Sequence, residues 1–181
     1  MFIIVVMKTV VRFFRQRAVK GFLKRKKPCV LPDISKYPAM AVLLDKDRFN
    51  RRAEIEKTLT RVFVMKNYVF IVFADSIQTD VKQDEHCFFV EKKDFNFWGL
   101  LRKEKKEALL TMPFDMVVDF SAADELMTNY IMSLINSRFR VTFGKSCQAM
   151  YDLVIDSKKD DDMPNQLEIL HKYVSMLLGK R

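Results

Sequence analysis

The amino-acid sequence predicts an α/β fold, and three observations support this prediction. The chain has 181 residues, of which 49% are hydrophobic, so it can bury the core of one domain. Several apolar runs lack alternation with polar residues, which is typical of strands buried on both faces of a parallel sheet. Helical segments separate these runs, and this alternation of strands and helices predicts a sheet that helices cover on both faces.

Six apolar runs are predicted to be the strands of this sheet. They are Met40–Leu44, Tyr68–Phe73, Cys87–Val90, Phe114–Phe120, Arg140–Phe143 and Tyr151–Ile155. The helices are predicted over Arg48–Phe63, Ser121–Ser137 and Gln166–Leu178. Together these elements predict a single three-layer, Rossmann-like α/β domain with a mostly parallel sheet.

The positive charge of the chain is concentrated at its N-terminus. The net charge is +9, from 32 basic and 23 acidic residues, and residues 1–27 hold nine Lys or Arg and no Asp or Glu. Subtracting these nine from 32 leaves 23 basic residues, so the rest of the chain is neutral. The predicted organisation is a basic amphipathic helix in residues 1–27, a linker in residues 28–38 and the α/β domain in residues 39–181.

The N-terminal helix is predicted from Lys8 to Lys27, because apolar residues such as Val10, Phe14 and Phe22 recur at helical spacing on one side. This helix carries the candidate residues for binding a polyanion or a membrane. They are Lys8, Arg12, Phe14, Arg15, Arg17, Lys20, Phe22, Lys24, Arg25, Lys26 and Lys27.

Three interpretations of this helix follow from its composition. An anionic membrane attracts each nearby Lys or Arg by about 1 kcal/mol, and phenylalanines can insert beside these cations. RNA or ribosomal phosphate would instead gain from counterion release. In the third interpretation, the helix packs its apolar side on its own domain. The phenylalanines favour a membrane over nucleic acid, and a protein partner is a further alternative.

Polar residues follow three of the predicted strands at the carboxyl edge of the sheet, where open parallel sheets bind ligands. The candidate ligand-binding residues there are Asp45, Asp47, Asp75, Ser76, Asp119 and Ser121. Convergent carboxylates can hold Mg²⁺ or perform acid–base chemistry. Asp and Ser after a strand also cap the following helix, which requires no ligand, and capping is the favoured interpretation.

The sequence predicts no cofactor and no metal site. Its four glycines are scattered and form no glycine-rich phosphate loop. Gly144-Lys145-Ser146 copies the end of such a loop, but the glycine required five residues earlier is replaced by Phe139. The three cysteines and two histidines lack zinc-binding spacing. These absences favour a non-catalytic binding or adaptor module over an enzyme.

The segment from Asp94 to Leu101 is predicted to be an aromatic turn, which contains the only tryptophan. Phe95, Phe97 and Trp98 can stack on a base or a sugar. The favoured interpretation is that the turn packs against the sheet.

The predicted location is the cytoplasm, with peripheral attachment at the inner membrane through the basic helix. The odd number of widely spaced cysteines is typical of a reducing compartment. No segment reaches the roughly 20 apolar residues of a transmembrane helix. The apolar start Met1–Val6 is too short for the core of a signal peptide, and Met7 is a second candidate for the first residue.

Two resemblances to known families add to this interpretation. The motifs FDMVVDFS at 114–121 and SRFRVTFG at 137–144, with a helix between them, resemble the N-terminal domain of heptosyltransferase-like glycosyltransferases. This resemblance implies, as the alternative function, an enzyme acting on a sugar nucleotide at the carboxyl edge. The chain departs from that family because no Gly-Asp pair follows the first strand. Only 26 residues follow Ile155, too few for a second nucleotide-binding domain.

The second resemblance covers nearly the whole chain. It rests on the order of the motifs AVLLD, YVFIVFAD, FNFWG, FDMVVDFS, SRFRVTFG and YDLVID after a basic start. This order resembles an uncharacterised family of short proteins from Bacteroidota, a domain of unknown function. The resemblance implies a Rossmann-like fold and no particular activity.

Overall fold

A computed structural model shows six parallel strands in one sheet with helices on both faces, which confirms the predicted α/β fold. The structure describes residues 2–33, 38–63, 67–74, 86–122, 125–144, 148–156 and 162–179. All six predicted strands are present. They are β1 (Met40–Asp45), β2 (Tyr68–Ala74), β3 (Cys87–Glu91), β4 (Pro113–Asp119), β5 (Asn136–Phe143) and β6 (Leu153–Ile155).

The strand order is β3-β2-β1-β4-β5-β6, and every neighbouring pair is parallel. The chain builds the sheet outward from β1 to β3 and then returns to place β4 on the other side of β1. This reversal creates a topological switch point between β1 and β4, beyond their carboxyl ends. The central strands β1 and β4 are almost entirely buried, as their continuous apolar sequences predict.

Six α-helices in the described part of the chain form the two outer layers. They are α1 (Phe2–Leu23), α2 (Lys46–Phe49), α3 (Arg52–Val62), α4 (Lys103–Thr111), α5 (Glu125–Met132) and α6 (Met163–Gly179). Apolar residues of α2, α3 and α6 pack on one face of the sheet. Those of α1, α4 and α5 pack on the other face.

The structure corrects several predicted helix boundaries. α4 was not predicted, because its sequence is mostly charged and it buries only Leu109. α5 ends at Met132 rather than near Ser137, since β5 already begins at Asn136. The helix predicted over 48–63 is divided into α2 and α3, and α1 ends at Leu23 rather than at Lys27.

The basic helix α1 packs on the sheet as part of one of these layers. Its Val19 is buried in the same core cluster as Ala41 and Leu43 of β1. Beyond the end of α1, the ammonium group of Lys26 lies 2.7 Å from the Asp152 carboxylate. The Lys26 ammonium also donates to the carbonyl oxygens of Ala149 and Tyr151, each at 3.3 Å. This docking is the packing that the third interpretation of the helix predicts.

A buried arginine strengthens the contact between α1 and β5. The guanidinium of Arg140 lies 4.7 Å from the centre of the Phe22 ring. Burial lowers the pKa of this guanidinium, and the nearby Asp152 carboxylate opposes that shift. Asp152 also accepts a hydrogen bond from the backbone N–H of Arg140 at 2.9 Å. Asp152 therefore joins the end of α1 to β5.

Candidate functional site

Asp45 lies at the end of β1, beside the switch point. One of its carboxylate oxygens accepts a hydrogen bond from the backbone N–H of Arg48 at 2.9 Å and caps α2. The other accepts from the backbone N–H of Ala122, also at 2.9 Å. Asp45 therefore has the capping role that the favoured interpretation predicts, and it also joins β1 to the segment that follows β4.

Asp119 lies at the end of β4 and is only 1% exposed. Its Oδ1 accepts hydrogen bonds from the backbone N–H and the hydroxyl of Ser121, both at 2.8 Å. Its Oδ2 accepts from the hydroxyl of Tyr151 at 2.5 Å. The Ser121 hydroxyl also lies 3.1 Å from that of Thr128 in α5. Both oxygens of Asp119 are therefore bonded within the fold.

The remaining candidate residues at this edge are Asp47, Asp75 and Ser76. Asp47 is exposed in the first turn of α2. Asp75 and Ser76 lie outside the described residues. Among the residues that the structure describes, no group of three or more His, Cys, Asp or Glu side chains is arranged to hold a metal ion.

A pocket of about 200 Å³ opens at the switch point. Its lining residues are Arg48, Asp119, Phe120, Ser121, Ala122, Phe143 and Gln166. The rings of Phe120 and Phe143 stack with their centres 5.2 Å apart. Among the described residues, Arg48 is the only cation of this lining, and the lining also contains the buried carboxylate of Asp119. The volume of the pocket is below the roughly 300 Å³ at which sites for small-molecule ligands usually begin.

The outer face of α1 forms a second candidate site, and its residues differ from those of the sheet edge in being exposed. Seven of the nine N-terminal cations are exposed to solvent. Four of them lie in α1 and three follow directly after its end. We call these seven the basic face: Lys8, Arg12, Arg17, Lys20, Lys24, Arg25 and Lys27. A groove of about 430 Å³ on this face is lined by Phe13, Gln16, Arg17, Lys20, Gly21 and Lys24.

Four of the predicted binding residues of this helix are instead engaged with the domain. Arg15 donates a hydrogen bond through its Nε to the carbonyl oxygen of Gly99 at 2.9 Å, and Lys26 pairs with Asp152. Phe14 and Phe22 are half-buried against Trp98 and Arg140, respectively. In the structure the rings of Phe14 and Phe22 contact the domain, and their insertion into a membrane stays a prediction. Phe13, which is 56% exposed, is the phenylalanine that the outer face presents.

The aromatic turn, Phe95–Leu101, lies beside α1. The side-chain oxygen of Asn96 accepts hydrogen bonds from the backbone N–H groups of Trp98 and Leu100, at 3.0 and 3.1 Å. The backbone N–H of Leu101 donates to the hydroxyl of Tyr130 at 2.9 Å. Burial raises the pKa of Tyr130, and the bond from Leu101 opposes this shift. The turn is thus fixed at its tip and at its base.

The side chains of the aromatic turn only partly follow the prediction that they pack inward. Phe95 is half-buried, and the guanidinium of Arg15 lies 5.2 Å from its ring centre. Phe97 and Trp98, in contrast, are 66% and 47% exposed. Sequence reasoning missed that Phe13 and these two residues share a surface. The signal was present in Phe13, which interrupts the otherwise polar side of the helix.

Among the described residues, none of the helices combines the length and the apolar composition that crossing a membrane requires.

Comparison with known proteins gives a family and no activity. Neither the curated proteins nor the solved structures contain a match to this chain. The heptosyltransferase resemblance and the origin in Bacteroidota therefore stay predictions. A family described as "Family of unknown function (DUF6913)" matches residues 12–177, which include most of α1 and the whole sheet. The chain therefore belongs to this family of unknown function, whose shared region begins within α1.

Proposed function

We propose that this protein is a non-catalytic binding module that attaches peripherally to an anionic membrane through the basic face of α1. One observation carries the proposal. After the inner side of α1 has packed on the sheet, seven cations and Phe13 remain exposed. A basic helix with exposed aromatic residues is typical of helices that lie in the plane of a membrane surface.

The distribution of charge supports attachment in a defined orientation. Residues 1–27 contribute the whole net charge of +9, whereas the rest of the chain is neutral. An anionic membrane therefore attracts the α1 side of the molecule, at about 1 kcal/mol for each Lys or Arg near the surface. Because such charges are screened over roughly 10 Å at moderate ionic strength, the attachment is expected to weaken as salt is added.

The carboxyl edge of the sheet supports a catalytic function less well. Asp45 and Asp119 are bonded to backbone N–H groups and hydroxyls of the protein itself, so they are unavailable as a convergent pair for acid–base chemistry. An enzyme related to glycosyltransferases thus remains the alternative to the binding module. Among the described residues, the pocket lined by Arg48 and Asp119 is where such an enzyme would bind its substrate.

The proposal is tested by reversing charges on the basic face without removing α1, whose inner side fills part of the core. The variant Arg17→Glu/Lys20→Glu/Lys24→Glu lowers the net charge by six, from +9 to +3. Co-sedimentation is measured with phosphatidylcholine vesicles that contain about 30% phosphatidylserine. We expect vesicle affinity to fall by about a hundredfold, because three attractive contributions of about 1 kcal/mol are lost.

The matched control reverses three exposed lysines of the opposite layer, in Lys46→Glu/Lys57→Glu/Lys172→Glu. It has the same net charge of +3, so equal losses in both variants would indicate a non-specific charge effect and contradict the proposal. Wild-type protein that binds bulk RNA but not these vesicles would also overturn it, in favour of nucleic acid. If the wild type binds uncharged phosphatidylcholine vesicles as tightly as vesicles with phosphatidylserine, the electrostatic mechanism is excluded.

A further inference from the structure

The exposed aromatic residues of α1 and of the aromatic turn form one continuous surface. The ring centres of Phe13 and Phe14 are 5.5 Å apart, and those of Phe14 and Trp98 are 5.0 Å apart. The ring centres of Trp98 and Phe97 are 5.3 Å apart. Phe14 is half-buried in the middle, while the other three rings are exposed. We call these four residues the aromatic patch.

The backbone of the aromatic turn holds its part of the patch outward. Gly99 has a φ of +71°, and the backbone N–H of Gly99 donates to the carbonyl oxygen of Asn96 at 2.9 Å. The backbone N–H of Asn96 donates to the carbonyl oxygen of Leu100, also at 2.9 Å. These bonds order the turn without burying Phe97 or Trp98. Ordered aromatic side chains can enter a partner at a low cost in conformational entropy.

Folding alone gives little reason for the exposure of Phe97. Its side chain is 66% exposed, and its ring contact in the structure is with Trp98, which is itself exposed. A contiguous exposed aromatic surface usually marks a site of contact with a protein or a membrane. Tryptophan in particular is enriched where membrane and water meet, because its ring is apolar and its N–H is polar.

The charges around the patch favour an anionic bilayer as the partner. On one side, Val11 of α1 lies against Gly99 of the turn, so close that a Cβ added to Gly99 would overlap it. The exposed Lys8 and Arg12 lie within one helical turn of Val11. On the other side the turn leads into the exposed Arg102, Lys103 and Lys106. The exposed Glu104 and Glu107 offset part of this charge, and Glu107 lies 3.9 Å from the Lys103 ammonium group, so the segment stays cationic through Arg102 and Lys106. An apolar centre with cations on both sides complements acyl chains beneath anionic headgroups.

We propose that the aromatic turn is a second membrane contact, in which Phe97 and Trp98 insert at the boundary between headgroups and acyl chains of an anionic bilayer. This inference rests on the proposed function, since the basic face brings the turn to the surface. It goes beyond that function because attachment through charge alone requires no insertion. Two contacts also fix the orientation of the whole molecule on the bilayer, with Phe13 and the turn facing the lipid.

The inference is tested with the only tryptophan of the chain as the probe. The emission of Trp98 is recorded in the full chain with phosphatidylcholine vesicles that contain about 30% phosphatidylserine. Insertion predicts a shift of the emission to shorter wavelength and quenching by lipids brominated on their acyl chains. Phe97→Ala is expected to lower vesicle affinity about tenfold through lost apolar contact. Tyr173→Ala, which removes an exposed aromatic side chain from α6, should leave the affinity unchanged.

The outcomes separate this inference from the proposed function. If the wild type co-sediments with the vesicles but the Trp98 emission is neither shifted nor quenched, the proposed insertion is wrong. The electrostatic attachment would still be supported. Equal affinities of Phe97→Ala and the wild type would overturn the insertion as well. Absence of sedimentation with these vesicles would overturn both proposals. The circular dichroism spectrum of Phe97→Ala is expected to match that of the wild type, because the Phe97 side chain is 66% exposed.

Discussion

The carboxyl edge of the sheet and the outer face of α1 both carry clustered charge, but they use it in opposite ways. At the sheet edge, the carboxylates of Asp45 and Asp119 are bonded to donors of the protein itself. On the basic face, seven Lys and Arg side chains are exposed. A charged group engaged within the fold contributes to stability, whereas an exposed cluster of one sign has no such role and attracts a partner of opposite charge.

This difference leads to separate expectations for the two regions. Substitutions of Asp45 and Asp119 should lower the free energy of unfolding. Substitutions on the basic face should change binding and leave stability nearly unchanged. If substitutions in the two regions had the same effects on stability and on binding, there would be no reason to place the function on α1.

The largest effect is expected for Asp119→Ala at the sheet edge. The substitution removes the acceptor of the Tyr151 hydroxyl and of two Ser121 donors in a buried environment. We expect the free energy of unfolding, measured by urea denaturation, to fall by about 4 kcal/mol, since buried donors lose a charged acceptor. Asp47→Ala is the control, because Asp47 is exposed on the same edge and should have an effect within about 0.5 kcal/mol.

The result for Asp119 also tests the catalytic alternative. An Asp119→Ala protein that keeps its full stability would show that this carboxylate is not needed by the fold, and a role toward a ligand would then regain support. Destabilisation of the expected size would assign the residue to the structure.

A smaller loss of stability is expected for Lys26→Met. This prediction compares Lys26, which is paired with Asp152, with its exposed neighbour Lys27. The Lys26 side chain is 18% exposed and its partner Asp152 is 6% exposed. Removing the ammonium group leaves a buried carboxylate without its ion pair, which should cost about 3 kcal/mol in urea denaturation. Lys27→Met, at the exposed neighbouring position, should change stability by less than about 0.5 kcal/mol. Equal effects of the two substitutions would contradict the anchoring of α1 through Asp152.

The sequence predicted the sheet well because its strands are buried on both faces and appear as unbroken apolar runs. β1, β2 and β4 show this most clearly. The sequence failed for α4, which has one fully buried side chain and therefore little apolar periodicity. The strand order could not be predicted from the sequence either, because the pairing of β1 with β4 joins segments that are far apart in the chain.

The candidate sites were predicted less completely because they depend on contacts between distant segments. The sequence placed Asp45 and Asp119 at the same edge, but their donors Ala122 and Tyr151 become neighbours only in the fold. Likewise, the charge of α1 was visible from composition. Its contact with the aromatic turn depends on Val11 meeting Gly99, a pairing that no local pattern indicates.

The smallest of these stability effects concerns that contact and tests whether α1 and the aromatic turn form one surface. A Cβ added at Gly99 would overlap Cγ1 of Val11 and lie 3.0 Å from its Cγ2, and the φ of +71° is unfavourable for alanine. We expect Gly99→Ala to lower the free energy of unfolding by about 2 kcal/mol. Gly144→Ala is the matched control, because Gly144 has a φ of +62° with no atom within 4 Å of the added Cβ.

The control should therefore cost about 1 kcal/mol from backbone strain alone. Gly99→Ala is expected to lose more stability than this control. If the double variant Gly99→Ala/Val11→Ala lacks this additional loss, the loss comes from the contact between Gly99 and α1. If Gly99→Ala lowers the free energy of unfolding no more than Gly144→Ala does, Val11 of α1 is not in close contact with Gly99. The aromatic patch would then be two separate surfaces, and insertion of Trp98 would no longer be tied to the orientation of the basic helix.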